Sequence, residues 1–165
     1  MNRTIARALL LSCVLLLLVP ADSMAEGLSY RGWGPRVGVS VDPDQVVAGF
    51  HFDLGELVKR LRFQPNVDIG YGDDSHGHGD ALLIGAYLGA YWFFQNDGNW
   101  DFYAGGDLGV SWQNDWKESG SDLDVAFNAV GGVETRLRSN NRFLIELKIG
   151  ITADPDFKLM AGWTF

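Results

Sequence analysis

Apolar residues alternate with polar or small residues, with a period of two, along most of the chain. The last ten residues, DFKLMAGWTF, show the pattern clearly. In an extended strand they place one apolar set on a single face: Phe157, Leu159, Ala161, Trp163 and Phe165. A period of two is the signature of a β-strand, and no long stretch has the 3.6-residue period of an amphipathic helix. The pattern therefore restricts the chain to all-β folds.

Eight alternating segments are separated by short clusters of turn-forming residues such as QNDGN at 95–99. We predict one β-strand in each of the segments 36–41, 47–54, 63–71, 81–94, 100–112, 123–137, 142–152 and 157–165. The stretch GELVKRLR at 55–62 lacks clean alternation, and a single helical turn or a loop is expected there. The segments predict an antiparallel sheet in which each strand neighbours the next.

The first 25 residues have the layout of a secretory signal peptide. Arg3 and Arg7 precede an apolar run over 8–19, and small residues precede Glu26. The run is well short of the roughly 20 residues of a membrane-spanning helix. We expect cleavage after residue 25, which leaves residues 26–165 as one domain. The single cysteine, Cys13, lies in the removed segment, so no thiol chemistry is expected.

The chain is acidic, with a formal charge of −8. Residues 1–25 contribute +1, so the remaining part carries −9. Binding to nucleic acid is therefore not expected, because nucleic-acid affinity depends on neutralising phosphates. We predict no cofactor and no catalytic residue.

Alternation does not say which face of the strands meets water. A soluble, lipocalin-like ligand-binding barrel would enclose the apolar face, whereas an outer-membrane barrel turns it towards lipid. The polar face is crowded with glycines, which suits the narrow interior of an eight-stranded barrel. It also carries charges of both signs, which can pair in a closed lumen. We predict a polar network in the lumen formed by His51, Asp53, Asp68, Asp107, Glu134, Arg136, Glu146, Lys148 and Lys158.

The apolar face places aromatic residues near strand ends, where outer-membrane barrels meet lipid headgroups. With the N-terminal segment and the C-terminal KLMAGWTF, the chain resembles the small outer-membrane β-barrel superfamily of OmpA-like and opacity-type proteins. The resemblance implies an all-β, eight-stranded, antiparallel, up-and-down transmembrane β-barrel in the bacterial outer membrane. It also implies contact with lipid and lipopolysaccharide. Trp163 and Phe165 would anchor the barrel and be read by the barrel-assembly machinery during insertion.

An even number of strands brings both chain termini to the same side, which in this family is the periplasm. The turns near 42–45, 72–80, 113–122 and 153–156 would then lie outside the cell, and those at 55–62, 95–99 and 138–141 in the periplasm. The outer turns are acidic. Divalent cations that bridge these carboxylates to lipopolysaccharide are one interpretation, and acidity that merely keeps the loops soluble is an equally good one.

The loop at 72–80 carries the one motif with metal-ligand character. Imidazole and carboxylate groups together suit zinc, copper or nickel. The candidate ligands are Asp73, Asp74, His76, His78 and Asp80. A solvated polar loop without metal is the favoured interpretation, because no other cluster would hold these ligands rigidly.

Two further functions are weighed. Some barrels of this size modify lipids, and Ser40, His51 and Asp53 are the residues that such an enzyme would use here, although their spacing matches no motif. A general porin is not expected, because side chains fill an eight-stranded barrel. A narrow path for small solutes stays an alternative. We expect a structural or envelope-interaction role without catalysis.

Overall fold

The computed structural model describes residues 28–73, 80–94, 99–115, 120–152 and 155–165. These residues form eight β-strands. The strands are β1 (Leu28–Val41), β2 (Gln45–Val58), β3 (Leu61–Asp73), β4 (Asp80–Phe93), β5 (Trp100–Asp115), β6 (Gly120–Arg136), β7 (Arg142–Gly150) and β8 (Phe157–Thr164). Among the described residues there is no helix with the length and apolar character needed to cross a lipid bilayer.

Each strand pairs antiparallel with the next one in the chain, and β1 pairs with β8, so the sheet closes into a barrel. The predicted fold class is confirmed. Both Leu28 and Phe165 lie at one end of the barrel, which we call the terminal end. The connections β1–β2, β3–β4, β5–β6 and β7–β8 lie at the opposite end, which we call the loop end.

The register fixes the width of the barrel. Following cross-strand partners once around it, from Gly105 in β5, returns to β5 at Asp115, ten residues further along. The partners on this path are Val130, Lys148, Lys158, Ser40, Gln45, Gly72 and Ala81. An offset of this kind tilts the strands by about 35–45° and leaves an interior just wide enough for side chains.

The apolar face points outward. Ile145, Leu147 and Phe157 are 41%, 42% and 48% exposed, while the residues between them in β7 and β8 are buried. A soluble ligand-binding barrel would bury these side chains in its cavity. The outward apolar face therefore excludes the lipocalin-like alternative.

The segment at 55–62 is a hairpin and not the helical turn or loop that we expected. β2 continues to Val58 and β3 begins at Leu61, with a tight turn between them. Arg60 has a φ of 71°, and its N–H donates to Glu56 Oε2 at 3.0 Å. The register between β2 and β3 shifts on both sides of Glu56. Such bulges move side chains out of the period of two, which is why alternation fails here.

The strands differ strongly in length. β5 and β6 have 16 and 17 residues, whereas β7 and β8 have 9 and 8. The β5–β6 hairpin consequently rises above its β7 neighbour at the loop end. Around the terminal end, by contrast, the outward side chains form a ring of exposed aromatics: Trp33, Phe52, Trp92, Phe94, Trp100, Phe102, Trp163 and Phe165.

Candidate functional site: the interior of the barrel

The interior of the barrel is filled by side chains that are mostly ionisable. Ten charged groups of the described residues are buried there or nearly so, and ion pairs across the lumen join most of them. Five are carboxylates: Asp53, Asp68, Asp107, Glu134 and Glu146. Five are cations: Arg36, Arg62, Arg142, Lys148 and Lys158. The formal charges of these groups cancel, so the interior is close to electrically neutral.

Arg36 of β1 crosses the middle of the lumen and joins three strands. One terminal nitrogen donates to Glu146 Oε1 at 2.9 Å. The other donates to Asp68 Oδ1 at 2.7 Å and to Asn66 Oδ1 at 2.8 Å. Charge-assisted bonds of this length are about twice as strong as neutral ones. Arg36 thereby fixes β3 and β7 relative to β1.

Lys148 of β7 completes the same layer. Its Nζ donates to Asp107 Oδ2 at 2.7 Å, to Asn66 Oδ1 at 2.9 Å and to Asp68 Oδ2 at 3.3 Å. Asp107 also accepts the Tyr91 hydroxyl. Because a buried charge is tolerated only when it is fully paired, the layer holds together as a unit.

A second layer of charges closes the lumen towards the terminal end. Arg142 donates to Asp53 Oδ2 at 2.6 Å, and Arg62 donates to Glu134 Oε1 at 3.0 Å. The two pairs are linked, because Arg142 lies 3.4 Å from Glu134 and Arg62 lies 3.6 Å from Asp53. The Arg62 guanidinium also covers the Phe93 ring at 3.8 Å from its centroid. These contacts plug the terminal end.

Two smaller contacts complete the interior. His51 Nε2 lies 2.8 Å from Thr164 Oγ1, which ties β2 to the last strand. Lys158 Nζ donates to the Tyr87 hydroxyl at 3.0 Å.

Glycines make room for these side chains. A Cβ built at Gly89 would meet Asp107 Oδ1 at 2.7 Å, and one built at Gly132 would meet the Tyr103 ring. Tyr103 in turn donates to Glu146 Oε2 at 3.0 Å. The glycine-rich polar face of the strands is thus explained by close packing over small residues.

The structure buries eight of the nine residues that the sequence places in the lumen. His51, Asp53, Asp68, Asp107, Glu134, Glu146, Lys148 and Lys158 are buried inside the barrel. Arg136 differs, because it is exposed at the end of β6 although it shares a strand face with Glu134. Sequence reasoning missed four members of the network: Arg36, Arg62, Asn66 and Arg142.

The lipid-modifying constellation is not formed. Ser40 Oγ donates to the backbone carbonyl of Pro43 at 2.8 Å, and His51 contacts Thr164. Asp53 is occupied by Arg142 and also accepts the Gly55 N–H. Each of the three side chains has its own structural partner, so they do not act on one another.

The candidate metal loop lies almost entirely outside the described residues. Asp74, His76 and His78 fall in the gap between β3 and β4, and Asp73 and Asp80 are described only as a cross-strand pair at the ends of those strands. Elsewhere in the described ranges, no group of three or more His, Cys, Asp or Glu side chains is arranged to hold a metal ion.

The C-terminal aromatics lie on the outer surface. The Phe165 N–H donates to the Trp33 carbonyl at 2.8 Å, and their rings are 5.9 Å apart. Trp163 packs on Phe143 at 5.2 Å. Both side chains therefore stand at the seam where β8 meets its neighbours, with Phe165 56% exposed.

No family model matches the sequence, and no curated protein matches it. Solved structures match its fold. Neisserial surface protein A (NspA) superposes with a TM-score of 0.64 at 11% identity, over 82% of this chain and 94% of that one. The Yersinia pestis outer membrane protein Ail gives 0.49 at 12% identity, over 81% and 99%. The outer membrane enzyme PagL gives 0.47 at 10% identity, over 81% and 97%.

The match to PagL corrects one expectation. We expected from the sequence that the chain is not an enzyme, yet PagL is an outer-membrane enzyme with a barrel of this kind. The fold therefore leaves open whether this chain catalyses a reaction. At the level of architecture the resemblance inferred from the sequence is confirmed: the chain has the fold of the small eight-stranded outer-membrane β-barrel proteins.

Proposed function

We propose that the protein is an integral outer-membrane barrel of the bacterial envelope with a structural or surface-interaction role. One observation carries the proposal: a lipid-compatible apolar exterior encloses an interior whose buried charges are paired. Exposure of so many large apolar side chains to water is unfavourable, whereas hydrocarbon solvates them. Within the described residues the sheet closes on itself through β1 and β8, which suits a wall surrounded by hydrocarbon.

The filled lumen supports a structural role in preference to general diffusion. Arg36, Lys148 and the tyrosines around them occupy the middle layer, and Arg62 and Arg142 occupy the layer below it. A wide aqueous channel of the porin type needs a barrel of more strands. The paired charges instead make the barrel rigid, because moving one strand would strip a buried ion of its partner.

The distribution of charge supports an orientation. The turns and strand ends at the loop end, residues 42–44, 73–80, 113–124 and 151–156, hold eleven carboxylates and one lysine. Because the interior charges cancel, the net negative charge of residues 26–165 lies at this end. We place this acidic end outside the cell, where Ca²⁺ or Mg²⁺ would bridge it to lipopolysaccharide phosphates. The terminal end then faces the periplasm.

The proposal includes a route to the membrane. Residues 1–25 would direct export and be removed, and residues 26–165 would be inserted by the barrel-assembly machinery. The exposed aromatics at the end of β8, Trp163 and Phe165, are the features that this machinery would read.

Expression of the full chain in a Gram-negative host tests the proposal. We expect recovery in the detergent-extracted outer-membrane fraction and a shift in gel mobility on boiling. Protease added to intact cells should cut within the loop end and leave the terminal end intact. Release of the protein by osmotic shock, without detergent, would refute membrane integration.

A further inference from the structure

Two arginines stand together at the terminal end, where β6 turns into β7. Arg136 is the last residue of β6, Arg138 lies in the turn, and both side chains are exposed. The Leu137 N–H donates to the Asn141 carbonyl at 2.7 Å, and the Asn140 N–H donates to the Leu137 carbonyl at 3.0 Å. These bonds close a tight turn, so residues 136 and 138 stay close together on the rim. We call them the corner arginines.

The corner arginines lack a counter-charge among the described residues. Arg136 lies directly opposite Arg142 in the β6–β7 ladder. Like charges in directly opposed positions are destabilising. Arg142 is neutralised from inside the lumen by Asp53 and Glu134, whereas no carboxylate in the described ranges lies within ion-pair distance of either corner arginine. The corner therefore presents two exposed guanidinium groups to which an anion can bind.

A row of outward side chains lies just below the corner, on its membrane side. Trp100, Thr135, Phe143 and Trp163 are consecutive cross-strand partners, and the two tryptophans are 41% and 39% exposed. Tryptophan side chains on a membrane protein lie at the level of the lipid headgroups. Arg138 is three residues beyond Thr135, which is at most about 10 Å along the chain. The corner arginines therefore lie near the level of the lipid phosphates.

The distribution of cations supports a phosphate as the ligand. Outside the lumen, residues 26–165 carry five cations at the terminal end and one at the loop end. The eleven carboxylates of the loop end would repel an anionic lipid, so the terminal end is where such a lipid can bind. A guanidinium group binds a phosphate through two parallel N–H···O bonds, a geometry that lysine lacks. The cations of the terminal end are Arg31, Lys59, Arg60, Arg136 and Arg138.

We propose that the corner arginines bind the phosphate of an anionic phospholipid in the leaflet around the terminal end. The acyl chains of this lipid would lie against Leu137 and Phe143, and Leu137 is 39% exposed. A soluble anion would gain nothing from this apolar surface, which favours a lipid over free phosphate. Basic residues at a membrane surface each strengthen the attraction of anionic lipids about fivefold. The inference rests on the proposed function only for the membrane setting.

The probe is a fluorescent label on Val133→Cys, which is the only cysteine of the labelled barrel because residues 26–165 contain none. Val133 lies between Phe102 and Ile145 on the outward face, below the corner. The barrel is reconstituted in phosphatidylcholine vesicles that contain brominated phosphatidylglycerol or, at the same mole fraction, brominated phosphatidylcholine. Bromine quenches a nearby label, and because both leaflets have one composition the orientation of the barrel does not affect the result.

We expect phosphatidylglycerol to associate at least about threefold more strongly than phosphatidylcholine at position 133, as judged from the quenching curves. A label on Val46→Cys is the control. Val46 is 64% exposed on the outward face near the acidic loop end, where no preference for the anionic lipid is expected. A label at 133 that is quenched equally by the two lipids would overturn the proposal.

Two double variants with the same change of charge separate a local site from a diffuse field. Arg136→Gln with Arg138→Gln should abolish the preference at position 133. Arg31→Gln with Lys59→Gln removes two cations elsewhere on the same rim, where Arg31 already pairs with Glu56, and should retain most of the preference. Heat-modifiable migration on a gel checks that each variant is folded.

Equal losses in the two double variants would overturn the proposal in favour of general attraction by the rim. Loss of the preference when inorganic phosphate is added at constant ionic strength would overturn it in favour of a free-anion site. A barrel that integrates into vesicles without any lipid preference would leave the outer-membrane location unaffected, because fractionation tests that separately.

Discussion

Lys148 illustrates how individual residues hold the barrel together. Its ammonium neutralises Asp107 and Asp68 in a region closed to water. We predict that Lys148→Met destabilises the folded barrel by about 3–5 kcal/mol, because the buried carboxylate of Asp107 loses the cation paired with it and Asp68 keeps only Arg36. Urea unfolding of the protein in lipid vesicles, followed by tryptophan fluorescence, measures the change.

Lys59 is the matched control for this substitution. It lies exposed in the β2–β3 turn, and Lys59→Met should change the free energy of unfolding by no more than about 0.5 kcal/mol. The double variant Lys148→Met with Asp107→Asn should recover part of the loss. Equal effects of the two lysine substitutions would show that the interior pairs do not stabilise the barrel.

Two glycines separate interior crowding from glycine flexibility. A Cβ at Gly109 would collide with the Ala86 backbone carbonyl, whereas a Cβ at the outward-facing Gly131 would meet nothing within 4 Å. We predict that Gly109→Ala costs about 1–3 kcal/mol and Gly131→Ala less than about 0.5 kcal/mol. Similar losses at both positions, in the same unfolding assay, would contradict the packing described here.

At this scale the sequence determines the face of a residue but not its partner. Alternation places Asp68 and Lys148 on one face, and the structure brings them together. Alternation does not predict that Arg36 spans the lumen. An arginine side chain is long enough to reach carboxylates on strands that are distant in the sequence. Arg136 shows the converse, since its position at the end of β6 leaves it exposed despite the correct face.

Strand β7 provides a test of the lipid-facing wall. Leu147 faces outward in the middle of the strand, and Ile151 faces outward just beyond its end. We predict that Leu147→Lys costs about 2–4 kcal/mol, and that Ile151→Lys costs about 0–1 kcal/mol, because the penalty for a charge falls towards the interface. Refolding titrations in vesicles measure both values. A larger cost at Ile151 would contradict the proposed membrane position.

The last strand makes a separate prediction about assembly. The Phe165 ring lies beside Trp33 in a tilted arrangement, and the Phe165 backbone N–H forms the hydrogen bond across the seam. We predict that Phe165→Ala sharply lowers the amount of folded barrel in cells and changes refolding into vesicles little. Trp33→Ala, which alters the same contact without changing the terminus, is the control. If Phe165→Ala lowered folding in cells and refolding into vesicles equally, Phe165 would act by stabilising the barrel and not by being recognised during assembly.

Element positions were predictable where alternation is unbroken and were not where the backbone irregularities lie. Strands β4, β5, β7 and β8 begin within one residue of their predicted starts. β1 begins at Leu28, well before the predicted start at 36. Its early part contains a register shift between Leu28 and Gly32, which hides the period of two. The hairpin at 55–62 was missed for the same reason.

The whole molecule sorts its charge by region. The interior charges cancel, the wall is apolar, and the loop end carries the net negative charge. Alternation alone does not distinguish a barrel with an apolar interior from one with an apolar exterior. Glycines and charges of both signs on the polar face distinguish the two, because a narrow closed lumen requires small residues and charges that can pair.

The central claim is that large apolar side chains face hydrocarbon while the ionised ones face a packed interior. Because residues 26–165 contain no cysteine, single spin labels can be placed along β7 from Phe143 to Ile149 in lipid vesicles. We predict that labels at 143, 145, 147 and 149 collide with oxygen dissolved in lipid. Labels at 144, 146 and 148, in variants that still fold, should be shielded from oxygen and from a water-soluble nickel reagent. If the labels at the odd positions collided with the nickel reagent and not with oxygen dissolved in lipid, the outward orientation of the apolar face would be contradicted.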